Sequence, residues 1–227
     1  MRTAAPVNAD PSKCVVVDSN AMHWEKSEHS GVSRKVLEFV VDPKKGRETS
    51  LLKFEPGASI PAEILNDRLD LMVLEGSLSN GDTRYGPETF VRLLPGDSFA
   101  PSSGEGCVLY AKWRVPIRAG AGERIVVDAM NQPWLDFPHR GAKVLHLYRN
   151  TDGIETGRIG DVYPGKKLPS HDHSIGEETF VIQGKLTDEY TSYGSGVWFR
   201  MPCGMPHAPY TESENCKMLI REGDLVW

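Results

Sequence analysis

The sequence has no uninterrupted apolar run near the roughly 18 residues that a membrane span needs, which excludes a helical anchor. Its 227 residues include only 4 cysteines, Cys14, Cys107, Cys203 and Cys216, with no CxxC pair among them. A disulfide framework is not expected, and the thiols read as small buried hydrophobes. Positive charge is also short: 26 Lys and Arg face 31 Asp and Glu, a net charge of −5, with no basic run to neutralise phosphates. Direct nucleic-acid binding is not expected. The first residues, Met1 to Asp10, lack the apolar core of a signal peptide, so a cytoplasmic protein is expected. Sustained helical stripes are missing too.

What is plentiful is punctuation. The 22 glycines and 16 prolines interrupt the chain at short intervals, in the manner of many-stranded β proteins. Segments rich in Val, Leu, Ile, Phe and Tyr lie between them at Cys14–Asp18, Lys35–Val40, Thr49–Phe54, Asp70–Leu74, Thr89–Leu94 and Cys107–Arg114. A second series follows at Arg124–Val127, Ala142–Tyr148, Glu155–Tyr163, Glu178–Gln183, Val197–Met201 and Cys216–Arg221. The short connections favour antiparallel hairpins, and the fold class read from them is all-β.

The two series are copies of one unit. At an offset of 108, Pro56, Gly57 and Pro61 fall on Pro164, Gly165 and Pro169, and Val73, Gly76 and Leu78 fall on Val181, Gly184 and Leu186. Thr83, Tyr85 and Gly86 meet Thr191, Tyr193 and Gly194, and Arg92, Gly96, Ala100 and Pro101 meet Arg200, Gly204, Ala208 and Pro209. Upstream, Trp24, His29 and Gly31 match Trp134, His139 and Gly141, both written W-x4-H-x-G. An internal duplication predicts two domains, 1–118 and 119–227.

The second copy alone carries a candidate metal constellation. His171 and His173, two positions apart, project from one face of an extended segment, because strand side chains alternate. Glu177 and then His207 would complete three nitrogens and one oxygen, a set that suits Zn, Fe, Mn or Ni as the divalent ion. Glu178 is a rival ligand, but Glu177 restores the spacing of six residues before Gly184. At the corresponding positions the first copy has Glu63, Leu65, Leu69 and Phe99, one lone carboxylate and three apolar side chains, which predicts a metal-free half and one ion per chain. Features kept in both halves, including His29 and His139, read as structural. Those confined to the second half, including Cys203 and Met205, are functional candidates.

The stretches Gly165-x5-His171-x-His173-x3-Glu177-x6-Gly184 and Gly196-x5-Pro202-x-Gly204-x2-His207 resemble the two motifs of the cupin superfamily. Where the second motif usually ends in Asn, this chain has Thr211. The resemblance implies two tandem jelly-roll β-barrels, a bicupin, with a divalent metal inside the mouth of the second. The segment H-x-H-x-x-G-E-E is similar to the cupin domain of ChrR-type anti-sigma factors, which implies a sensor or regulatory role with a small-molecule ligand. The helical H-x3-C-x2-C segment of those anti-sigma factors is absent, so direct sigma-factor binding is not expected. Similar cupins are stand-alone Fe(II) dioxygenases acting on diketones, which implies an alternative in which Glu178 or a metal-bound hydroxide takes a proton from an enolisable substrate. A homodimer is compatible with both readings, and no membrane partner is expected.

Overall fold

A computed structural model describes residues 5–42, 46–115, 122–149 and 154–223. All twelve segments expected as strands are strands, and the only helices among the described residues are two 3-10 turns, Ser19–Ala21 and Ala129–Asn131. Several strands run longer than expected. The strand read as Glu178–Gln183 extends over Glu177–Thr187, passing through Gly184 rather than stopping there. Gly184 follows a register shift between Val181 and Gln183 and sits at a φ of +78, where a Cβ would lie 1.8 Å from the Asn215 carbonyl oxygen. Paired strands of two or three residues, such as Ala58–Ser59 and Pro101–Ser103, went unread because so short a run has no periodicity to detect.

The chain forms two compact units, Met1–Ala9 with Met22–Gln132, and Asp10–Ala21 with Pro133–Trp227. They are not the contiguous halves expected from the repeat. The strand Val15–Asp18 pairs with Val197–Met201 in the second unit, and Ile125–Asp128 pairs with Thr89–Leu93 in the first. Each half of the sequence thus lends one edge strand to the other's sheet, satisfying a row of backbone groups that would otherwise lack partners. The boundary expected between residues 118 and 119 lies outside the described residues.

In the first unit a seven-stranded antiparallel sheet runs in the order Ile125–Asp128, Thr89–Leu93, Arg68–Gly76, Cys107–Val115, Arg47–Phe54, Val32–Val40, Glu25–Lys26. Alternate residues of its strands, among them Leu52, Phe54, Leu69, Leu71, Val73, Leu93 and Leu109, point into one apolar core. A four-stranded and a two-stranded sheet accompany it, the latter pairing Glu63–Ile64 with Ser98–Phe99.

The second unit has an eight-stranded sheet, with the path Val15–Asp18, Val197–Met201, Glu177–Thr187, Cys216–Glu222, Thr156–Val162, Ala142–Arg149, Leu135–Phe137, and with Ser192–Gly194 attached to Glu177–Thr187. Val181, Phe199, Met201, Cys216 and Met218 build its core.

The duplication is legible atom by atom. Glu55 N–H donates to the Gly31 carbonyl at 2.8 Å, and its counterpart Tyr163 donates to Gly141 at 2.8 Å. Lys35 lies 4.4 Å from the Trp24 ring centre and Lys143 lies 5.1 Å from that of Trp134. The W-x4-H-x-G element therefore clasps the same turn in both units.

Of the thiols, Cys107 and Cys216 are buried and Cys14 and Cys203 are exposed. Burial pushes the Cys216 thiol up to about 12, which removes the reactive thiolate at neutral pH. The native chain should therefore titrate two of its four thiols with a disulfide reagent, and all four after unfolding. Rapid labelling of Cys216 in the native chain would contradict this packing.

Candidate metal centre

The histidines predicted from sequence do converge. His171 and His207 form an antiparallel bridge in which each backbone N–H donates to the other's carbonyl, at 3.0 and 2.9 Å. The same register pairs Glu63 with Phe99 in the first unit. The backbone frame of the site is thus common to both units, and only the side chains differ.

Between His171 and Glu177 the chain turns at Gly176, whose φ is +73 and whose N–H donates to the His173 carbonyl at 2.9 Å. The Gly204 N–H donates to that same carbonyl at 3.0 Å, tying the segment that leads to His207 against His173. The three imidazole centres lie 4.6, 5.0 and 5.3 Å apart. His173 Nε2 is 3.1 Å from His207 Nε2 and 3.1 Å from Glu177 Oε2. His173, Glu177 and His207 are buried, at 5%, 5% and 2% exposure, while His171 is exposed and forms the open side.

Glu177 is held in one orientation. Its Oε1 accepts from the Thr179 hydroxyl at 2.9 Å, which leaves Oε2 toward the imidazoles. Glu178 is a correction to the sequence reading. As the next residue on the same strand it points to the opposite face, where its Oε1 accepts from Trp198 Nε1 at 3.0 Å. It is neither a ligand to this centre nor placed to take a proton from a molecule bound there.

Three participants were not read from the sequence. Glu222 Oε1 is 2.8 Å from His173 Nδ1, Arg158 Nη1 is 3.0 Å from Glu222 Oε2, and Asp188 Oδ2 is 3.4 Å from His207 Nδ1. For Glu222 a signal did exist. Cys216 and Met218 alternate into the core with Ile220 packed against it, and two residues further puts Glu222 on the same inward face.

The electrostatics follow from this network. Burial disfavours the charge on Glu222, but hydrogen bonds from His173 and Arg158 outweigh it and hold the carboxyl far below the usual range. Burial alone would lower the pKa of His173, yet the Glu222 bond and the Glu177 charge push it up. Burial pushes His207 down, and the neighbouring His171 and His173 push it further.

Other sequence candidates lie away from the centre or serve the fold. Tyr163 donates its hydroxyl to Asp136 at 2.5 Å. Met205 packs against the core of the second unit. Thr211 accepts from the Lys166 N–H at 3.2 Å and donates to the Tyr163 carbonyl, doing structurally what the motif's Asn would do. In the first unit Leu65, Leu69 and Phe99 are buried within one apolar cluster, and among the described residues the His-containing donor groups occur in the second unit only.

Known structures share this architecture. A candidate dioxygenase from Nostoc punctiforme superposes with a TM-score of 0.79 at 15% identity, over 96% of this chain and 85% of that one. A candidate glyoxylate-induced protein from Pseudomonas aeruginosa gives 0.75 at 15% identity, over 98% and 92%. A cupin 2 conserved barrel domain protein from Leptotrichia buccalis gives 0.64 at 15% identity, over 96% and 99%. At such identities the likeness is one of fold. No curated protein matches the chain. The ChrR Cupin-like domain family matches twice, over residues 12–115 and 122–226, and with two jelly-roll units the chain belongs to that family as a bicupin.

Proposed function

We propose that the second unit binds one divalent transition-metal ion through His171, His173, Glu177 and His207, and that the chain is a metal-dependent cupin that takes a small molecule in a sensor or regulatory role. One observation carries the metal reading: His171, His173 and His207 bring one donor atom each within 4.8 Å of one another, and a second group overlapping at His173 adds Glu177 together with Glu222. Two facing Nε2 atoms at 3.1 Å repel unless a proton or a metal ion lies between them. Bound zinc or iron, or manganese or nickel, would supply a Lewis-acid centre for an oxygen ligand. The chain's own part is to fix the donors. Thr179 turns one oxygen of Glu177 inward, so that it binds through Oε2, and the exposed His171 leaves a side from which a small ligand can approach.

The alternative is an Fe(II) dioxygenase acting on an enolisable carbonyl compound. The fold likeness to the Nostoc punctiforme candidate dioxygenase favours it. It loses one of the two bases that the sequence suggested, since Glu178 faces Trp198. The two readings separate on metal analysis of the purified chain, followed by oxygen uptake with a β-diketone panel after Fe(II) loading. Zinc without uptake supports the sensor reading, and iron with turnover supports the enzyme. Either way the expected stoichiometry is one ion per chain. Two ions would mean that Glu63 and its apolar neighbours are not the whole content of the first unit's equivalent position.

A further inference from the structure

Two carboxylates outside the ligand set touch its imidazoles from behind. Glu222 meets His173 Nδ1 at 2.8 Å and Asp188 meets His207 Nδ1 at 3.4 Å. An ionised carboxylate only accepts hydrogen bonds, so in a neutral ring the proton must sit on the nitrogen that faces it. His171 Nδ1 faces the Pro169 carbonyl, also a pure acceptor, at 2.8 Å. His171 and His207 are thereby set with the proton on Nδ1 and the lone pair on Nε2; His173 also faces Glu177 Oε2 through its Nε2, at 3.1 Å, and the shorter 2.8 Å contact of Glu222 with its Nδ1 is what favours the same tautomer there.

Both carboxylates are themselves held. Arg158 donates to Glu222 Oε1 at 3.1 Å and the Thr156 hydroxyl donates to Oε2 at 3.1 Å. Asp188 Oδ1 accepts from the Tyr190 and Thr191 N–H groups at 2.9 and 3.0 Å, and Oδ2 accepts from the Tyr193 hydroxyl at 3.0 Å.

The duplication tests whether these residues serve the fold. At the offset of 108, Asp188 corresponds to Asn80, whose amide serves the backbone of Ser98 and Ala100. Glu222 lies opposite Glu177 in the strand register, just as Trp113 lies opposite Leu69. Where the imidazoles are replaced by Leu65 and Phe99, both carboxylates are gone as well. A residue that the fold alone required would be kept in both units, as Gly76 and Gly184 are.

We propose that Glu222 and Asp188 are positioning residues of the metal centre, fixing the tautomers of His173 and His207 so that Nε2 of each faces the ion. This rests on the metal reading above. The effect of Glu222 is the larger, since its contact is shorter and Arg158 anchors it.

The test uses the full-length chain and its Glu222→Gln and Asp188→Asn variants. An amide donates as well as accepts, so each variant keeps shape and removes the constraint on the ring. Competition with a chromophoric chelator for Zn(II) should show affinity falling about 10- to 100-fold in Glu222→Gln and by less in Asp188→Asn. In chelator-stripped protein under alkaline conditions, long-range 15N NMR should show His173 protonated at Nδ1 in the natural chain, with the Nε2–H form appearing in Glu222→Gln. The NMR arm needs no ion, so a natural chain that binds no metal but holds His173 as the Nδ1–H form shows the metal reading to have failed and the tautomer constraint to stand. Unchanged affinity in Glu222→Gln, or an Nε2–H form of His173 in the natural chain, overturns the proposal. A lower melting temperature with unchanged affinity and tautomer overturns it in favour of a role in the fold.

Discussion

Replacing His207 with alanine should strip the chain of its ion. His207 is buried, its Nε2 faces that of His173 at 3.1 Å, and it comes from a different segment of the chain than the other three donors. Without it the remaining donors all come from the run His171 to Glu177, and an ion would be held from one side only. A complete four-donor site supplies roughly 10–16 kcal/mol, so about a quarter of that corresponds to a fall in affinity of about 60- to 700-fold. Metal content after dialysis against a weak chelator reads this directly. His139→Ala is the control, because His139 stacks edge-on against Phe137 in the repeated turn and should leave the ion in place. An ion retained at full stoichiometry in His207→Ala would mean that the centre lies elsewhere.

Phe99→Ala should be among the most damaging single changes to stability. Phe99 occupies the position that His207 holds in the second unit, but it is fully buried, belongs to the cluster with Leu65 and Leu69, and meets Trp113 edge-on at 5.7 Å. Removing the ring deletes its apolar transfer energy and leaves a cavity, together about 3–5 kcal/mol. Denaturant unfolding measures the loss. A change under about 1 kcal/mol would show that the first unit's interior is not packed as described. The contrast with His207 is informative: a change at the same backbone position should cost binding in one unit and folding in the other.

Most of this was legible before any coordinates. Strand positions followed from alternation and from Gly and Pro punctuation, and the four candidate ligands followed from spacing. What escaped notice did so for physical reasons. Asp188 approaches His207 from a turn, and a hydrogen bond to a ring nitrogen leaves no spacing rule; for Glu222 strand alternation marks the inward face but not the histidine it meets. Glu178 fails as a base because neighbouring residues of a strand point to opposite faces. The exchange of edge strands was hidden because Cys14–Asp18 and Arg124–Val127 read equally well as members of either half.

That exchange also bears on the order of events as the chain is made. Cys14 touches Met201 across 187 positions of sequence, beside the register that pairs Val15 with Arg200. At about 5–20 residues per second, the Val15–Asp18 strand waits roughly 10 to 40 s for its partner. Until then the Val197–Met201 edge does not exist and the Val15–Asp18 strand has nothing to complete. A chain begun after Ala21 would instead present that edge bare throughout its life, a template for the strands of other molecules.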